Sequence, residues 1–249
     1  MKLYLDTPQV IAGVTLKSNH NECNNMALHV CEDSKTIINN RQQLAKTLDV
    51  SLNQFVCANQ THSANIHRVT ADDLGRGAFT NQDAIPNTDA LYTFEKNVVL
   101  CSFTADCVPV LFFDNTHSLI GAIHSGWQGT VKEITKKTMY HLIANEGCLP
   151  ENIHVMIGTA LSQKRFEVDQ DVYDQFLSLG YANEFMYFNA ETNKYHIDNQ
   201  QVVKQQCLLH HIPEHNIYVD TSCTYDDEQG FSYRQDRSCG RHLNFIMQK

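Results

Sequence analysis

The stretch from Val98 to Ile123 is the most apolar in the chain, and it is broken once, by Asp114-Asn115-Thr116-His117. The segments on either side, Val108-Pro109-Val110-Leu111-Phe112-Phe113 and Ser118-Leu119-Ile120-Gly121-Ala122-Ile123, read as central strands joined by a hairpin turn. Before them, Ile37, Ile38, Leu44, Ala45 and Leu48 fall near one face of a helix predicted from Ser34 to Leu48, capped by Asp33 or Ser34. Phe55 to Val69 reads as extended, with Gln60-Thr61-His62-Ser63 inside or at the end of a strand and a polar loop running on to Pro86. After the central strands, His124-Ser125-Gly126-Trp127-Gln128-Gly129-Thr130 makes a glycine-rich turn into a helical run from Val131 to Asn145 that stops at Gly147. A strand at Ile153 to Ile157, helices near Asp169 to Leu179 and Gln200 to His211, and a strand at Ile217 to Asp220 complete the pattern. The class implied is α/β in the mixed α+β sense: a central mixed sheet flanked by helices, forming one layered domain over residues 1–249.

Composition agrees with one folded body. With 42% hydrophobic and 19% charged residues, five Pro and eleven Gly, no segment has the makeup of a linker or a disordered tail. Nine cysteines, an odd number without short paired spacings, fit reduced thiols, most of them serving as small buried hydrophobes. Met1 to Asp6 lacks the apolar run of a signal peptide, and no stretch reaches the ~20 apolar residues of a membrane helix, so the expected location is cytoplasmic. A net charge of -9, without Lys/Arg clusters interleaved with aromatics, argues against nucleic acid as a partner.

His62, Cys107 and His124 are far apart in sequence, so no local ligand motif joins them. Each lies at the end of an expected strand beside glycine, proline or small polar residues, where functional groups are commonly presented. Two imidazoles and a thiolate suit zinc with a fourth position left open. A buried cysteine with two hydrogen-bonded histidines satisfies the same pattern, and spacing does not choose between these readings. Asp106 caps a strand end, orients a histidine or acts as a base. Trp127 either stacks on an aromatic ligand or packs in the core. Gly126 and Gly129 open a helix, but they match neither the P-loop nor the dinucleotide fingerprint. Arg234, Arg237 and Arg241 concentrate positive charge near the C-terminus, as a grip for phosphate or a ribose-bearing substrate or as a solvated loop. Arg41 belongs to the surface unless the fold turns it inward. Several chemistries lack their signatures: there is no His-x-His pair for a multicopper oxidase, no Pro-Cys-x-x-Cys deaminase motif and no Gly-x-Ser-x-Gly elbow.

Five segments taken together resemble the laccase-domain or polyphenol oxidase family, also described as purine nucleoside phosphorylases of the multicopper polyphenol oxidase type. They are Gln60-Thr61-His62-Ser63, Thr104-Ala105-Asp106-Cys107-Val108-Pro109-Val110, His124-Ser125-Gly126-Trp127-Gln128-Gly129, Ile157-Gly158 through Phe166-Glu167-Val168, and Cys223-Thr224 through Phe231-Ser232-Tyr233-Arg234. They occur in family order and span most of the chain, with Asn40-Arg41 and Asp89-Ala90-Leu91 as less specific landmarks. The resemblance implies that His62, Cys107 and His124 are both metal ligands and catalytic residues. The implied cofactor is zinc, with copper as the alternative, and the implied partners are a purine nucleoside and phosphate. Phosphorolysis of adenosine, inosine, guanosine or methylthioadenosine and deamination of adenosine are the implied reactions; editing hydrolysis of a peptidoglycan precursor, or copper-dependent polyphenol oxidation, are the alternatives. Arg41, Arg234, Arg241 and Trp127 are the candidates for holding substrate. Two positions depart from the family pattern. Gln128 stands where an arginine is usual, which puts anion binding in doubt, and Thr159 stands where a proline is usual.

Overall fold

The computed structural model describes residues 1–19 and 21–249. In chain order the elements are β1 (Lys2–Asp6), β2 (Val10–Val14), α1 (Ser34–Thr47), β3 (Phe55–Val56), β4 (Ile66–Arg68), β5 (Ala90–Thr93), β6 (Val99–Thr104), β7 (Val108–Asp114), β8 (Leu119–Ser125), α2 (Trp127–Val131), α3 (Ile134–Asn145), β9 (Ile153–Ile157), β10 (Glu167–Val168), α4 (Gln170–Leu177), β11 (Met186–Asn189), β12 (Lys194–Ile197), α5 (Asn199–Leu208), β13 (Ile217–Val219) and β14 (His242–Gln248). The mixed α+β class is as expected. The single central sheet is not: the strands form a five-stranded sheet ordered β1-β2-β14-β6-β3, a six-stranded sheet ordered β13-β9-β7-β8-β5-β4, and a small β10-β12-β11 sheet.

The two larger sheets pack face to face. Val10, Ala12, Val56, Leu100 and Ile246 from the first share one buried cluster with Leu91, Leu111, Phe113, Ile120, Ala122 and Met156 from the second. Side chains alternate across a strand, so the other face of β7, at Val108, Val110 and Phe112, meets Ile134, Met139 and Leu142 of α3 and Val203 and Cys207 of α5. The far face of the five-stranded sheet takes Leu44 and Ala45 of α1. A strand covered on both sides has no polar face to show, which is why Val108 to Phe113 reads as an unbroken apolar run. The tip of the Phe112 ring occupies the space over Gly121 of the paired strand, where a Cβ would fall 1.9 Å from it.

The apolar stretch is interrupted twice rather than once. Ala105 to Cys107 turns the chain from β6, in one sheet, to β7, in the other, with Asp106 at a positive φ of 82°. The extended reading of Phe55 to Val69 survives only as β3 and β4, and His62 lies in the loop between them in the left-handed region, at φ 57°. The helix after β8 starts earlier than Val131: Gly126 is the N-cap and Trp127 to Val131 already form α2. Glu133, left-handed at φ 61°, then separates α2 from α3. The Asp33 cap of α1 is as read, its side chain accepting from the backbone N–H groups of Lys35 and Thr36. All nine cysteines are unpaired thiols, and among the described residues no helix is long and apolar enough to cross a membrane.

Candidate metal centre

The hairpin of β7 and β8 places two of the expected ligands side by side. Cys107 immediately precedes β7, and His124 lies in β8 directly opposite Pro109. The loop after β3 brings in His62, whose Nε2 is 3.8 Å from the Cys107 Sγ. The two histidine rings meet edge to face with centroids 4.8 Å apart. One ligand atom from each of the three residues falls within 4.8 Å of the others, a spacing a single ion can bridge. Gly126 is what lets them converge, because a Cβ there would lie 2.5 Å from the His62 ring and 2.9 Å from Sγ.

Asp89 holds this arrangement together. Its carboxylate accepts from the backbone N–H groups of Thr61, His62 and Ser63, from the Ser63 hydroxyl, and from His124 Nδ1 at 2.8 Å. A buried carboxylate with that many donors orders the His62 loop and fixes the His124 tautomer, leaving Nε2 as the atom that could face a metal. Burial works against its charge, but His124 and the Ser63 donors outweigh it and hold its pKa at about 2. Lys132, following α2, donates to the His62 carbonyl and ties down the left-handed residue. Gln60 completes the frame, pairing with both backbone groups of Phe103.

The electrostatics suit a cation. Burial raises the Cys107 thiol pKa, yet the imidazoles of His124 and His62 more than cancel this and bring it down to about 6. Burial lowers that of His124, while the Cys107 thiolate and Asp89 push it the other way, to about 9. These shifts favour a thiolate beside an imidazolium, and a divalent ion held there would take the place of that proton. One sulfur and two nitrogens, with the glycine-cleared space beside them, fit zinc with an open side.

The trio lies where two cavities meet. The larger, about 640 Å³, is walled by Trp127, Leu161, Phe166, Val168 and Val172 and carries Asp106, Glu167, Asp169, Asp171, Arg234 and Arg237. The smaller, about 490 Å³, reaches His124 and is lined by His29, Asn59, Asn81, Gln128 and Arg241. His62, Cys107, Trp127 and Tyr233 line both. Three of the four expected substrate-holding residues are therefore at the cavities. Arg41 is not: it is fully buried on the inner side of α1, donating to the carbonyls of Met26, Gly77 and Ala78 and lying over the Phe103 ring. The fold has turned it inward, as a brace between loops. Asp106 orients no histidine. It accepts from the Thr224 hydroxyl and the Arg234 backbone N–H, tying the C-terminal rim to the turn before β7. Asp89 and His29 were missed as site residues. Asp89 stood only in a family landmark, and His29 carried no signal of its own.

Comparison with known proteins bears on the same residues. The family model described as multi-copper polyphenol oxidoreductase laccase matches residues 12–249. The chain belongs to that family. It is 36% identical over 225 residues to a protein of Geobacillus stearothermophilus named purine nucleoside phosphorylase YlmD, covering 89% of this chain and 82% of that protein. A Bacillus subtilis protein of the same name is 33% identical over 248 residues, covering 97% and 89%. The crystal structure of the Bacillus licheniformis hypothetical protein YfiH superposes with a TM-score of 0.93 at 34% identity over 99% of both chains. In this member of the family, His62, Cys107 and His124 form a His/His/Cys cluster opening on a cavity, and Asp114, His117 and Cys148 form a second group of potential ligands.

Proposed function

We propose that this protein is a zinc-dependent purine nucleoside phosphorylase acting on adenosine, inosine, guanosine or methylthioadenosine, with deamination of adenosine as a second reaction of the same site. The observation that carries the reading is a His62, Cys107 and His124 trio open to a cavity of about 640 Å³ with apolar walls and polar groups at its rim, within the size range of small-molecule sites. The names of the relatives supply the reaction.

When bound, zinc supplies Lewis acidity at the open side of the trio. The chain's own residues do the rest. Trp127 and Tyr233 line both cavities beside the trio and offer aromatic faces to a flat base. Asp89 keeps His124 and the His62 loop in register. The apolar side chains of Leu161, Phe166, Val168 and Val172 give the base a surface to pack on. Incubating zinc-loaded protein with adenosine, with and without phosphate, should release adenine only with phosphate and ammonia in either case. Release of neither the free base nor ammonia from adenosine, and of no free base from inosine, guanosine or methylthioadenosine with phosphate, would overturn the reading. Metal analysis of protein purified without added metal should give about one zinc per chain, and one copper or none would overturn the zinc assignment.

A further inference from the structure

The two cavities differ in charge as well as in size. Both open on His62 and Cys107, and Trp127 and Tyr233 stand between them. The larger cavity is lined by four carboxylates, Asp106, Glu167, Asp169 and Asp171, against two guanidiniums, Arg234 and Arg237. The smaller is lined by no carboxylate at all and by one guanidinium, that of Arg241, together with the amides of Asn59, Asn81 and Gln128. Arg241 is half-buried, and its Nη1 is spent on the carbonyls of Cys239 and Gly240. Its Nε and Nη2 have no protein acceptor among the described residues.

Displacement at the anomeric carbon needs the nucleophile and the leaving base on opposite faces of the sugar. The new C1′–O bond forms as the C1′–N9 bond breaks, the bonding pair passes to the purine, and the proton brought by hydrogen phosphate goes with it. A site with two lobes meeting at one point satisfies that requirement, and charge decides which lobe takes which partner. A phosphate dianion among four carboxylates is repelled, whereas a lobe with one arginine and several amide donors attracts it. Ribose hydroxyls and base N–H groups, being donors, suit the carboxylate-lined lobe with its apolar walls.

Building on the function proposed above, we infer that the smaller lobe is the phosphate subsite, with Arg241 as its cation, and that the larger lobe takes the nucleoside. Arg234, although also a guanidinium, then serves the nucleoside and not the phosphate. Gln128 lines the phosphate lobe from the exposed side of α2 and limits it to one cation.

Isothermal titration of the zinc-loaded protein with inorganic phosphate, alongside steady-state kinetics with adenosine, tests this assignment. Arg241→Gln should weaken phosphate binding about ten-fold or more and raise the KM for phosphate with little change in the KM for adenosine. Arg234→Gln should do the reverse. Gln128→Arg, at an exposed position that the fold tolerates, should tighten phosphate several-fold. Unchanged phosphate binding in Arg241→Gln, or in Gln128→Arg should the former fail to fold, overturns the assignment. Phosphate binding through Arg241 without nucleoside turnover would leave the anion subsite standing and overturn the phosphorylase reading alone.

Discussion

Strand β7 carries a cluster of potential metal ligands at each end, and the two are built differently. At its start Cys107 meets His62 and His124; at its end Asp114 meets His117 and Cys148, again with all ligand atoms within 4.8 Å. The Cys107 thiol is drawn down to about 6 by two imidazoles, despite burial. The Cys148 thiol is pushed up to about 12, by burial first and then by the Asp114 charge. Asp89 orders a loop and aims a histidine into a cavity. Asp114 spends one oxygen on the backbone N–H groups of Thr116 and His117 and on the Thr116 hydroxyl, and the other on the His117 ring, as a hairpin turn requires. Ligand types and distances are similar, so what distinguishes the two clusters is the charge around the thiol and the open space beside it.

The strongest way to break this comparison is to remove each thiol. On the proposed function, Cys107→Ala should lower turnover by on the order of a thousand-fold or more and abolish stoichiometric zinc, because the anionic ligand is lost. Cys148→Ala should keep both and cost only packing. Metal analysis and adenosine turnover on the two variants decide it; equal losses would mean that the two ends of β7 are not distinct in function.

How much of this was legible beforehand follows from the same contrast. The strands from Val108 to Phe113 and from Leu119 to Ile123 could be read because double coverage leaves an unbroken apolar run, and α1 because its buried stripe has helical period behind an Asp33 cap. That β6 and β7 belong to different sheets could not be read, since strands covered on both faces look alike in either. The trio was visible as residue types, but three segments distant in sequence carry no spacing, and family resemblance had to single them out. Asp89 makes five hydrogen bonds that exist only after folding. Arg41 offers the same guanidinium whether it grips a ligand or three carbonyls.

The next effect concerns the two aspartates. Asp89→Asn keeps the shape but removes the charge that favours a protonated Nδ1 on His124, and it should weaken zinc binding by roughly ten- to hundred-fold. Competition with a chromophoric chelator reads this directly. Asp114→Asn should leave zinc affinity unchanged. A loss of less than about three-fold in Asp89→Asn would reduce Asp89 to a loop anchor.

The smallest effect belongs to the structural end. Asp114→Asn should lower stability by about 1 kcal/mol at neutral pH, as for other buried side-chain caps of a turn. The cost should depend on pH in a definite direction. Burial raises the pKa of Asp114, but the Thr116 and His117 donors reverse that and hold the folded carboxyl below its ordinary value. The unfolded chain therefore takes up the proton first as pH falls, so the stabilisation is complete above the ordinary carboxylate pKa and is lost as pH drops through the lowered folded one. Denaturant unfolding of wild type and Asp114→Asn at decreasing pH should show the two curves converging in acid. A gap that stayed constant with pH would mean that Asp114 stabilises the hairpin by shape rather than by charge, and the contrast with Asp89 would then rest on the cavity and not on the carboxylates.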